Sequence, residues 1–70
     1  MQRDVEKNVP LAQYVETLRR LADALEGGEP FRIQVEGERF TVPKGATLVI
    51  EHEVEEGSHE LALELQWSDD

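Results

Sequence analysis

The stretch TLVIEHEVEEGSHELALELQW, residues 47–67, decides the fold of this 70-residue chain. Leu48, Ile50, His52 and Val54 alternate with Thr47, Val49, Glu51, Glu53 and Glu55. Beyond Gly57-Ser58, Leu61, Leu63, Leu65 and Trp67 alternate with Glu60, Ala62, Glu64 and Gln66. A period of two marks a strand with one apolar face, and two such runs about a glycine make a β-hairpin. A tight turn at Gly57-Ser58 pairs Val54 with Leu61, His52 with Leu63, Ile50 with Leu65 and Leu48 with Trp67. Every inward residue then meets another. On the opposite face the same register sets Glu51 against Glu64 and Glu55 against Glu60.

Upstream, Phe31, Ile33 and Val35 alternate with Arg32, Gln34 and Glu36, and Phe40 and Val42 follow the turn signal Glu36-Gly37. A two-residue turn there pairs Ile33 with Phe40 and Phe31 with Val42. Before Pro30 the period is helical. Leu11, Val15, Leu18, Ala22 and Leu25 form a stripe that Tyr14 and Leu21 widen. The spacing predicts a helix from about Val9 to Glu26, with Pro10 in its first turn, Asn8 or Val9 as its cap and Gly27-Gly28 as its stop. The expected fold class is α+β: one N-terminal helix packed on a four-stranded antiparallel sheet, a meander of two hairpins. The expected core joins Leu11, Val15, Leu18, Leu21, Ala22 and Leu25 to Phe31, Ile33, Phe40, Val42, Leu48, Ile50, Leu63 and Leu65. Replacing Leu18 or Leu63 by Ala should then cost ~2–5 kcal/mol. Residues 1–8 and 68–70 read as flexible tails about a single domain, residues 9–67.

Size bounds what such a chain can do. A folded chain of 8.0 kDa exposes roughly 4,450 Å², against roughly 11,600 Å² unfolded. That allows one core and leaves no room for a nucleotide fold or a deep cleft. With no cysteine, disulfide and thiol chemistry are excluded. No apolar run approaches the ~18 residues of a membrane span, and the opening MQRDVEKNV is polar, unlike a signal peptide. A cytoplasmic protein is expected.

The net charge of −9 is uneven. Residues 1–50 carry eight acids and seven bases, whereas residues 51–70 carry eight acids and no Lys or Arg. Such a surface repels phosphate backbones and anionic lipid headgroups, so neither nucleic acid nor membrane is an expected partner. A basic protein surface is the natural attractor.

The run LRRLADALEGG, the strand pair after it and the closing HELALELQWS together resemble the amphi-Trp domain. That is a small prokaryotic domain named for its amphipathic segment and the tryptophan near its end. The resemblance spans roughly residues 8–67. It implies a stand-alone domain of unestablished function and supplies no catalytic residues. His52 departs from the pattern, as a polar side chain on an otherwise aliphatic inner face.

Three constellations could carry chemistry. His52, His59 and the neighbouring glutamates offer metal ligands. By parity, however, His52 points inward and Glu51, Glu53 and Glu55 outward, so no metal or other cofactor is expected. His52 is expected to be shielded and hydrogen-bonded, and His59 solvated. Opposed carboxylates on an open sheet face lack the walls that acid–base catalysis requires, so no enzyme is expected. Trp67 reads as the end of the inner face, with a half-exposed partner anchor as the alternative. The expected function is therefore a small acidic, non-enzymatic protein-interaction module. Its candidate partner-binding residues are Glu51, Glu53, Glu55, Glu60, Glu64 and Trp67, and its expected partner is a basic protein or a second copy in a homodimer. The alternative is a small-ligand or metal-binding domain.

Overall fold

The computed structural model describes residues 8–69. The expected tails fall partly outside this range, at residues 1–7 and 70. Helix α1 spans Leu11–Gly27, and strands β1 to β4 span Phe31–Val35, Glu38–Val42, Thr47–Glu55 and Ser58–Gln66. The expected α+β class, with one helix followed by four antiparallel strands, is the fold observed.

The helix starts at Leu11, the first residue of its apolar stripe and two residues later than the expected Val9. Pro10 is itself the cap, in extended conformation (φ −63°, ψ 154°), and its carbonyl accepts the first helical bond from the Tyr14 N–H at 3.0 Å. The stop is at the expected glycines. Gly28 adopts the left-handed conformation (φ 66°), which costs a residue without Cβ little. Its N–H reaches the Leu25 carbonyl at 3.2 Å, and the Glu29 N–H reaches that of Ala24 at 2.9 Å. This pair of bonds is the Schellman closure, satisfying carbonyls that the helix end would leave open.

The first hairpin has the expected register, with Phe31 opposite Val42 and Ile33 opposite Phe40. The four strands do not, however, form one sheet. β1 pairs with β2 and β3 with β4, giving two separate two-stranded sheets. Alternation along a strand fixes which residues share a face. It does not fix whether β2 and β3, joined through Pro43-Lys44-Gly45-Ala46, lie side by side.

This separation limits the core. Among the described residues the buried apolar side chains are Phe31 (7% exposed) and Val42 (5%), opposite one another in the first hairpin. Helix α1 packs on β1, with Val15, Leu21 and Ala24 half-buried. Arg20 ties the two together. Its Nη2 donates to the Arg32 carbonyl at 2.7 Å, and its guanidinium lies 5.2 Å from the Phe31 ring centre. Of the expected core, Leu11, Leu18, Ala22, Leu25, Phe40, Leu48, Ile50 and Leu63 are instead exposed. Without a continuous four-stranded floor, the helix stripe covers the first hairpin and leaves the second largely bare. Among the described residues no helix is long and apolar enough to cross a membrane.

Candidate functional site

The second hairpin turns at Glu56-Gly57, one residue earlier than expected. Both residues have positive φ, 49° and 82°, the requirement of the tight turn whose twist matches the flanking strands. The first hairpin turns the same way at Glu36 (φ 51°) and Gly37 (φ 79°). Each turn is a Glu-Gly pair after a strand residue, so the first could have located the second.

Moving the turn by one residue moves every pairing by two. Leu48 lies opposite Leu65, Ile50 opposite Leu63, His52 opposite Leu61 and Val54 opposite His59. Parity is kept, so the apolar face survives, but its partners differ from the expected ones. It is a bare face: Ile50 is 76% and Leu61 70% exposed.

The shift also brings two histidines together. His59 enters the ladder on the inner face, opposite Val54 and diagonal to His52. His52 Nε2 and His59 Nδ1 are 2.9 Å apart, and the rings are within 12° of parallel with centres 5.1 Å apart. That centre separation equals the hydrogen bond plus two ring radii, so the rings lie edge to edge, nearly coplanar. His52 is therefore hydrogen-bonded as expected, but it is exposed rather than shielded. Among the described residues no three His, Cys, Asp or Glu side chains converge as a metal site would need.

The opposite face carries Glu51, Glu53, Glu55, Glu60 and Glu64 together, as expected, but opposed differently. Glu53 faces Glu60 directly, Glu51 faces Ala62, Glu55 faces Ser58 and Glu64 faces Val49. Glu51 and Glu64 are diagonal neighbours, a span that long side chains bridge. Repulsion from the Glu64 carboxylate, then from Glu53, holds the Glu51 carboxyl above the usual carboxylate range, with a hydrogen bond to Glu64 adding to the effect. Gln66 Nε2 also donates to Glu64 Oε1 at 3.1 Å.

Trp67 follows the end of β4 and has no partner in the ladder. Its ring stacks on Phe40 of β2, with centres 6.2 Å apart and planes 24° apart. It links the hairpins that backbone pairing leaves separate, and it stays 38% exposed. Leu63 meets Leu18, Leu21, Ile33 and Val35 across an open groove of about 520 Å³ between helix and hairpins. A shallow concavity of about 510 Å³ on the first hairpin gathers Arg20, Arg32 and Arg39, a grouping that residue order does not reveal.

A helix clamped on one short hairpin, with a longer two-faced hairpin joined to it through a terminal tryptophan, defines a class of small amphipathic α+β domain. The chain belongs to the Amphi-Trp domain family, whose profile matches residues 2–70. No curated protein and no solved structure matches it.

Proposed function

We propose that the protein is a non-enzymatic, protein-interaction module of the prokaryotic cytoplasm that works through its second hairpin. The observation carrying this reading is that both faces of that hairpin are open, one apolar and one acidic. A packed domain uses a long apolar strand face to close its own core. Here the face is presented instead, and large exposed apolar patches mark contact surfaces.

The acidic face sets the sign of what it attracts. The carboxylates of Glu64, Glu53 and Glu60 repel that of Glu51 there, and a cationic surface offsets that repulsion. Neither face has walls to exclude water, which acid–base chemistry requires. Titrating the protein with poly-L-lysine in a calorimeter tests the acidic face. Binding should appear at low salt, fade as sodium chloride screens it, and weaken sharply when Glu51, Glu53 and Glu64 are all changed to Gln. Undiminished binding by the triple variant would show that the plate is not the contact.

A further inference from the structure

We infer that the bare apolar face of the second hairpin is covered by a second copy of this chain, so that the protein completes its core as a homodimer. The inference rests on the interaction-module reading and assigns its apolar face an occupant. The first argument is area. Taking about 120 Å² for an aliphatic side chain and about 200 Å² for an aromatic one, the exposed fractions of Leu48, Ile50, Val54, Leu61, Leu63 and Trp67, with those of Tyr14, Leu18 and Leu25 on the helix beside them, present roughly 650 Å² of apolar surface. The largest apolar patch on an ordinary monomer is about 300–600 Å², and a stable complex buries about 800 Å² per partner. The surface is thus oversized for a monomer and near the size a dimer needs.

The second argument is chemistry. The hairpin face runs Leu48, Ile50, His52 and Val54 on one strand and His59, Leu61, Leu63 and Leu65 on the other, without a carboxylate, a lysine or an arginine. The five glutamates point the other way, so two copies can meet without opposing their acidic plates. A basic partner would be drawn to the plate rather than to this face. The two histidines hydrogen-bond each other, which reduces the unpaired polar groups that a dry contact would strand. A face uniform along both strands also suits a two-fold contact, in which the same patch serves both partners.

Sedimentation equilibrium from micromolar to millimolar chain, at low and high sodium chloride, tests the inference. The expected mass is about 16 kDa, twice the 8.0 kDa chain. Association should strengthen with salt, because screening relieves the repulsion between two acidic chains. Ile50→Lys with Leu61→Lys should weaken the dimer about 100-fold or more. Both side chains are exposed in the single chain, so their replacement leaves its packing intact. Glu51→Gln, Glu53→Gln and Glu64→Gln together should leave the dimer in place while sharply weakening poly-L-lysine binding, which separates this inference from the plate reading. A monomer mass throughout would overturn it, as would a dimer that ignores the two lysines. If the lysine variant fails to fold, the parental mass still decides whether a second copy is bound, and the milder Ile50→Ala should weaken it measurably.

Discussion

Phe31→Ala should remove most of the stability of the isolated chain. Phe31 is one of two buried apolar side chains among the described residues, and it touches the helix, the opposite strand and Arg20. An aromatic side chain buried to this degree withdraws about 200 Å² from water, roughly 5 kcal/mol at 25 cal/mol per Å². The extended-chain reference overstates this by roughly 10–40%, leaving about 3–4.5 kcal/mol. Losing the guanidinium–ring contact with Arg20 adds about 0.5–1 kcal/mol. The total agrees with the 3–5 kcal/mol typical of such truncations, against roughly 3.5–10 kcal/mol for a whole domain of 70 residues. Ile50→Ala is the contrast. Ile50 is largely exposed, so below the association range it should cost under ~1 kcal/mol. Urea denaturation followed by circular dichroism reads both. If Phe31→Ala lies within about 1 kcal/mol of the parent, or Ile50→Ala in dilute solution equals it, the division into one closed and one open hairpin is wrong.

The Glu51 carboxyl titrates above the 4.5 of an unperturbed glutamate. Between 4.5 and its raised folded value the native state holds more protons than the unfolded one, so stability should fall as pH rises through that window. Glu51→Gln should flatten this dependence in thermal melts and raise Tm at low salt; a lower Tm would mean that the carboxylate makes a stabilising contact. At the turn, Gly57→Ala meets no neighbour but must adopt positive φ, so it should cost about 1–2 kcal/mol in urea, and Glu56→Asn should stabilise. Trp67→Ala should lower Tm by removing the stack on Phe40, a contact of about 0.5–1.5 kcal/mol beyond its area; an unchanged Tm would free the tryptophan from any structural role.

Several features were legible because they are local. The strand period, the Glu36-Gly37 turn and the glycine stop of the helix each follow from neighbours within a few residues. The second turn is displaced by one residue because Gly57 can stand first in a turn with Ser58 or second in one with Glu56, and local sequence does not choose between them. That single step hid the His52–His59 contact and reassigned the opposed glutamates. The glutamate plate itself survived, since a two-residue shift preserves parity. What could not be read was the relation between the hairpins. Leu18 and Leu63 have the pattern of core residues yet remain 39% and 51% exposed. Alternation shows that a face is apolar but not what covers it, so the ~2–5 kcal/mol expected of each within one chain falls to about half.

The most direct test of that covering is an isotope-filtered NOE experiment on an equal mixture of ¹³C-labelled and unlabelled chains. The account predicts contacts from the Ile50 and Leu61 methyls to protons of the other copy. Contacts from those methyls only to Leu18 or Leu25 of the same chain would show the hairpin folded down on its own helix, and would contradict it.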